Sequence, residues 1–434
     1  MSDLVTSRIF VDGEKGITAA KLNDIVASSV IQPAFYTSKP TASTADPPDV
    51  MLLLKSGAYA QVPVSTLANS ISSSQIWSTR LRSFNAIGNS SLECDQRTVG
   101  AGTSTPGAFA QDRWSYNKAG TSAATGAQIA AGGAGYITLP GTNFAITSKI
   151  LRVTLTTAQA TLGVTDQLNI YQIIEGVKLR ELIGDVHSLS ILVRSSVANL
   201  TFGLAIRDGN NTHSLVNLCT LGAANTWALI QLPNIPVFVS GGSWAVGPGV
   251  TGYSLVINLA AGSTLTAPAN GTWQNGNFIG AAGQMNFAAQ VVNSTFDVAF
   301  VQHEPGALCT TPIDCPFTQN LDECLRYFAK SYDYDVAVGT ANAVGDVALA
   351  QQSTAGVYGT VRFPKLMAKI PTCTAYNPVT GAANSTRLIA GTDYAVTAFA
   401  NVGKGGFDNF ATATMPAPVA GATVKIHYTA DTGL

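Results

Sequence analysis

The sequence predicts a mainly β protein: a jelly-roll β-sandwich followed by a smaller C-terminal β-sandwich, with short helices in an N-terminal region. Three observations carry this. Ala, Gly, Thr, Ser, Asn and Val dominate the 434 residues, and β-branched and aromatic clusters are separated by 41 Gly and 19 Pro, the composition of short strands and tight turns. Apolar and alternating runs recur with no long helical pattern between them. Charged residues make up only 11%, less than half the usual share of a soluble domain, which suits a surface that faces other protein chains.

Taken in order, residues 1–76 differ from the rest. Leu22, Ile25, Val26 and Val30 fall on one helical face, and Thr18 is placed to cap its first turn. Pro33 and the Pro40 to Pro48 segment then force an extended connection. A second short apolar helix is expected around Val64, Leu67, Ala68 and Ile71. Neither is long enough to be stable alone in water, so this region is expected to fold against partners. Strands are expected at 150–156, 189–194, 202–207, 228–232, 254–259 and 296–302. Phe202, Leu204 and Ile206 alternate with Gly203 and Ala205, which puts the large residues on one sheet face. Asp208-Gly209-Asn210-Asn211 supplies the turn that follows. Leu321, Cys324, Leu325 and Phe328 follow a helical spacing. They predict a helix over about 318–331, capped by Thr318, that closes a domain spanning 77–335. Strands return over 336–434, where Thr423 to Tyr428 alternates cleanly.

Several function classes are excluded or disfavoured. A formal charge of −1 gives no basic stripe for nucleic acid. Residues 209–296 contain no Asp, Glu, Lys or Arg, yet Asn, Thr, Ser, Gly and Pro interrupt every apolar run there, so membrane insertion is not expected. The start shows no basic region followed by an apolar run, and six Cys in 434 residues are not a disulfide scaffold. Synthesis in a reducing cytoplasm is the simplest expectation. His187, His213, His303 and His427 carry no ligand spacing, and Cys309, Cys315 and Cys324 lack the paired spacing of a zinc site, so neither metal nor cofactor is expected.

Four residue strings resemble a known family. Asp112-Arg113-Trp114, Ile174-Glu175-Gly176, Leu192 to Ser196 and Val301 to Gly306 occur in the order and approximate spacing of a jelly-roll module of bacteriophage fibres. Leu321 to Tyr332 is similar to the string that commonly follows it, and Phe363 to Thr372 to the small β domain often found behind. Leu325 replaces the usual Gln, and His303 stands where Leu is common. The resemblance implies a non-enzymatic virion appendage, a tail-fibre-like homotrimer with a carbohydrate-binding-like fold, assembled in the bacterial host cytoplasm. Residues 1–76 would attach it to other virion proteins, whether tail, portal-proximal or capsid, and a host-surface glycan would be its ligand. A head fibre, capsid decoration or tail-structural protein is one alternative. A tailspike that degrades or deacetylates polysaccharide is another.

Sugar contact needs an aromatic face for the C–H groups of a pyranose and amides for its hydroxyls. Trp244 and Trp273 sit in Gly-rich, loop-like sequence, and Asn270, Gln274 and Asn275 neighbour the latter. These five are the candidate carbohydrate contacts, with burial at a sandwich rim as their alternative role. Leu22, Ile25, Val26 and Val30 are the candidate virion-docking residues. For a hydrolase, Glu175, Glu181, Asp185 and Glu304 are the carboxylates that lie beside apolar strands.

Overall fold

Alternating strands put large apolar residues on one face, and two such faces close on each other to exclude water. A computed structural model describes residues 84–434 apart from 134, 313 and 314, together with the backbone of 50–55 and 58–63. The chain divides into two compact units, 1–73 and 74–434. In the first, β1 (Val50–Lys55) and β2 (Ala58–Pro63) form an antiparallel hairpin with Leu53 opposite Ala60, within the stretch for which only a connection and helices were expected. The helical faces expected at Leu22, Ile25, Val26 and Val30 and around Val64 to Ile71 lie outside the described residues.

The second unit begins with a two-sheet sandwich. Its strands are β3 (Phe109–Gln111), β4 (Trp114–Ala119), β5 (Ala123–Ala130), a short hairpin of β6 (Ile137–Thr138) and β7 (Ala145–Thr147), β8 (Lys149–Thr157) and β9 (Gln167–Glu175). A helical turn, α1 (Gly176–Leu179), leads on to β10 (His187–Ser195), β11 (Thr201–Asp208), β12 (His213–Thr220), β13 (Ala228–Ile235), β14 (Thr251–Ala261), β15 (Trp273–Asn275) and β16 (Thr295–Pro305). One sheet has the order β13-β10-β16-β8-β5 and the other β15-β12-β11-β14-β9-β4-β3. From β8 onward the chain passes repeatedly from one sheet to the other, which is the connectivity of a jelly roll. All six strands expected from the sequence are present.

The core lies between the sheets. Trp114, Tyr116, Ile170, Tyr253, Leu255 and Ile257 of the seven-stranded sheet meet Leu151, Val153, Leu189, Ile191, Phe296 and Val298 of the five-stranded one. Full burial of a Leu, Ile or Phe side chain contributes about 1.5–3 kcal/mol, so this layer carries the domain. The outer face of the five-stranded sheet is covered as well. Ile137 and Ile146 of the β6–β7 hairpin pack on Ile150, Leu192 and Phe300.

Beyond the sandwich come α2 (Phe317–Leu325), β17 (Phe328–Lys330), β18 (Val347–Gln351), β19 (Gly356–Arg362), β20 (Thr372–Tyr376), β21 (Ser385–Leu388), β22 (Asp393–Ala400), β23 (Gly406–Thr412) and β24 (Thr423–Asp431). The helix is shorter than expected. It ends at Leu325, its N-cap is Pro316 rather than Thr318, and Phe328 is already in a strand paired with Asp431. Pairing with β24 outcompetes a continued helical turn, a tertiary override that local spacing does not encode. The long β24 organises the small domain. Its first half pairs with β18 and β21, and its second half with β17 and β20. Val424, Ile426, Tyr428 and Ala430 point into a core with Phe407, Phe410 and Met367, as the alternation predicts.

Buried polar contacts join the two domains. Arg97 pairs with Asp431, and the Lys330 ammonium donates to the carbonyls of Gln96, Tyr334 and Val336 at 2.9, 2.9 and 2.6 Å. Burial draws the Lys330 pKa down to about 8, and the three carbonyls replace the water it has lost.

Candidate binding groove

The five residues chosen from the sequence do not form an open platform. Trp244 and Trp273 do come together, edge to face at 5.3 Å. Both also lie against Phe238, at 4.8 and 5.6 Å, and Phe238 in turn stacks on the buried His187. Each indole N–H is already committed, Trp244 to the Val239 carbonyl and Trp273 to the Pro236 carbonyl. The pair packs at the sandwich rim, with both rings half-buried. The amides are used internally too. Asn270 exchanges two hydrogen bonds with the backbone of Ala282, and Gln274 two with that of Ala269. Asn275 is exposed on β15, opposite His213. Of the other tryptophans, Trp114 is buried in the core. Trp227 is only partly buried, under the Arg194 guanidinium at 4.7 Å.

A different surface gathers polar groups. β9 alternates, with Leu168, Ile170 and Ile174 in the core, so Gln167, Asn169, Tyr171 and Ile173 face outward. Register places Asn117 of β4 beside Asn169. It also sets Ile173, Ser254 of β14 and Arg207 of β11 in one row across three strands. Half of this outer face is roofed by the segment 262–284, whose Ala267, Ile279 and Ala281 pack on Ala205, Val216 and Val256. The roof sits close because Gly203 carries no side chain. A Cβ there would meet the Ile279 carbonyl oxygen at 2.8 Å and the Ala281 nitrogen at 3.0 Å. Where the roof stops, a groove of about 380 Å³ remains, floored by Asn117, Gln167, Asn169, Tyr171, Arg207 and Ser254 and walled by Leu265 and Asn277.

The electrostatics of this groove are uneven. Burial draws the Arg207 pKa down to about 10, with the charge of Asp208 opposing the shift. Its Nη1 donates to the Asn277 side-chain oxygen at 2.6 Å, while its Nε and the Ser254 hydroxyl are buried with no hydrogen-bond partner. Asp208 is fully occupied. Its carboxylate accepts from the Thr212 hydroxyl and N–H and from the N–H groups of His213 and Ser243, at 2.6, 2.6, 3.1 and 2.7 Å. Burial pushes its pKa up, but these donors outweigh it and hold the carboxyl below its ordinary value.

Two larger clefts, of about 490 and 560 Å³, lie beside the small domain. In the first, Arg97 pairs with Asp431; in the second, Asp95 accepts from the Thr98 and Gly100 N–H groups. The carboxylates considered for hydrolysis are separately engaged as well. Glu175 is held by Arg326 and Tyr327, Glu181 by Arg180, and Glu304 by Gln302 and Thr310. The Asp185 carboxylate accepts from the Val186 N–H.

No family model matches the chain, and no curated protein matches it. Solved structures similar to it include the carbohydrate-binding module TmCBM61 in complex with β-1,4-galactotriose, at 10% identity and a TM-score of 0.27, covering 51% of this chain and 99% of that one. A family 11 carbohydrate-binding module from Clostridium thermocellum, in complex with a mixed-linked tetrasaccharide, has 12% identity and a TM-score of 0.24 over 46% of this chain and 91% of its own. The enzymatically active domain of bacteriophage CBA120 tailspike protein 4 has 12% identity and a TM-score of 0.26, over 51% of this chain and 21% of its own. All three scores lie under 0.5, so the groove is judged on its own residues.

Sequence reasoning missed every residue of the groove floor. One signal was available: Gln167-Leu168-Asn169-Ile170-Tyr171 alternates polar and apolar over five positions. It marks a strand with one wet, hydrogen-bonding face.

Proposed function

We propose that the jelly-roll domain binds a glycan chain in the groove on the outer face of its seven-stranded sheet. The observation that carries this is a polar row with unused capacity. Asn117, Asn169, Arg207 and Ser254 line one open concavity, and the Ser254 hydroxyl and Arg207 Nε have no partner. Unpaired buried polar groups cost free energy that a ligand's hydroxyls recover, and the Tyr171 ring offers a face for sugar C–H groups. Glycan-array screening followed by calorimetry tests the reading. Ser254→Trp, which fills the floor, is expected to abolish binding while leaving the thermal transition in place. Binding unaffected by this substitution would move the site elsewhere.

The wider setting follows from the phage-fibre strings. The chain is proposed to be a non-enzymatic virion appendage, assembled as a homotrimer and attached through residues 1–76, with the host surface as the source of the glycan. Three weak sites on one appendage then gain avidity without any of them being tight. Light scattering after size exclusion tests assembly, and a stable monomer at micromolar concentration would count against it. Release of reducing ends or acetate from host polysaccharide would overturn the non-enzymatic assignment.

A further inference from the structure

We infer that the groove selects a glycan bearing carboxylates, a chain of uronic or other sugar acids, over the neutral chain of the same linkage, and that Arg207 reads the acid group. This rests on the groove being the glycan site. The first ground is that most of the other described arginines have a carboxylate or ring partner, the exposed Arg362 excepted. Arg97 pairs with Asp431, Arg152 and Arg194 with Asp297, Arg326 with Glu175, and Arg387 with Asp393. Arg113 is stacked over the Tyr327 ring at 3.6 Å. Arg207 has no carboxylate of the described residues in ion-pair range, although it is mostly removed from water. A cation left that way is costly, and an arriving anion recovers the cost.

The second ground is that the adjacent acid does not fill the role. The Asp208 carboxylate is turned to the N–H groups of Thr212, His213 and Ser243. Those contacts shape the turn after β11. Asn117, Gln167, Asn169, Tyr171 and Ser254 are uncharged, so the Asp208 carboxylate, held by four donors, is the one acid among the groove's lining residues. The third ground is geometry. The guanidinium makes one hydrogen bond, to the exposed side chain of Asn277. The Ser254 hydroxyl stands beside it in register without a partner. An arginine with free donors next to a hydroxyl donor fits the two oxygens of a carboxylate.

The test uses the full chain and needs no variant at its first step. Hyaluronan, alginate, polygalacturonate and polysialic acid oligomers are titrated calorimetrically, each against its carboxyl-reduced counterpart, with dextran sulfate as a further arm. At least one acidic chain is expected to bind about 10- to 100-fold more tightly than its reduced form, and to weaken as salt rises. Arg207→Gln is expected to erase the difference, and Arg207→Lys to keep part of it. If reduced and acidic chains bind alike, or neutral chains bind and acidic ones do not, the inference falls and the glycan groove stands. Dextran sulfate binding as well as the best uronate would overturn selection for a carboxylate. If no glycan on a broad array binds, acidic or neutral, both readings fall together.

Discussion

Glu175→Gln removes one charge and no volume at the joint between the jelly roll and the small domain. The carboxylate is fully buried and accepts four hydrogen bonds. Oε1 takes the Gly249 N–H and Arg326 Nη2, each at 2.6 Å, and Oε2 takes Arg326 Nε at 2.9 Å and the Tyr327 hydroxyl at 2.7 Å. A glutamine amide must turn its NH2 toward one of these donor pairs, so at least one site becomes donor against donor. Removing one partner of a buried pair costs about 3–5 kcal/mol. Arg326 is partly exposed and can turn to water, which favours the lower end, about 3 kcal/mol.

For a domain of this size that is a fall in Tm of about 6–12 °C, read by differential scanning calorimetry. The pH dependence has a definite sign. Burial pushes the Glu175 pKa up, but Arg326, Gly249 and Tyr327 outweigh it and hold the carboxyl below its ordinary 4.5. Its stabilisation is therefore complete above about pH 4.5 and is lost as pH falls through the lower native value. Glu175→Gln is expected to lack that acid limb. A Tm within about 1 °C of the parent would refute the four-bond account. So would a Glu175→Gln, Arg326→Leu double cycle with no coupling.

Three further outcomes are expected. His187 and His303 share a 2.7 Å hydrogen bond, and the Tyr253 hydroxyl lies 2.6 Å from His303. Burial lowers both imidazole pKa values, that of His187 to about 4. From pH 6.5 down to about 4 the unfolded chain takes up protons the folded one refuses, so stability falls across that window. A His187→Phe, Tyr253→Phe, His303→Leu triple variant should flatten that part of a urea-midpoint profile, and an unchanged slope would refute the assignment. Trp273→Ala should lower stability by about 2–3 kcal/mol while glycan affinity below the transition changes less than about twofold; binding lost with Tm unchanged would restore Trp273 as a sugar platform. Gly203→Ala should lift the roof segment, seen as faster hydrogen exchange over 262–284 and weaker glycan binding, and unchanged exchange there would show that the roof is not seated on Gly203.

The sheets were legible and the groove was not, for one physical reason. A strand's inward face announces itself along the chain, as in Phe202, Leu204 and Ile206, because burial demands apolar residues two apart. A groove floor is built across strands. Asn117, Asn169, Arg207 and Ser254 are far apart in sequence and meet only through the register of β4, β9, β14 and β11. No single strand carries enough of them to stand out. The tryptophans show the converse. Gly-rich surroundings put Trp244 in a loop, but Trp273 opens the short strand β15, and nothing local reveals that Phe238 fills the space beside both rings. The expected helix overran for a similar reason, since the strand that ends it lies a hundred residues away in β24.

The uncharged stretch 209–296 follows from the same geometry. It contains β12 to β15 and the roof segment, and the roof is buried on its inner side against Ala205, Val216 and Val256. A charge on either surface of that contact would be desolvated without a partner, a cost of several kcal/mol. The run begins immediately after Arg207 and Asp208, the two charges that border the groove. Asp208 opposes part of the Arg207 field, and the low-charge roof adds no further charge around the guanidinium. Excluding water and other ions around a single cation strengthens its attraction for an anion. This depletion of charge thus supports the acidic ligand proposed for the groove.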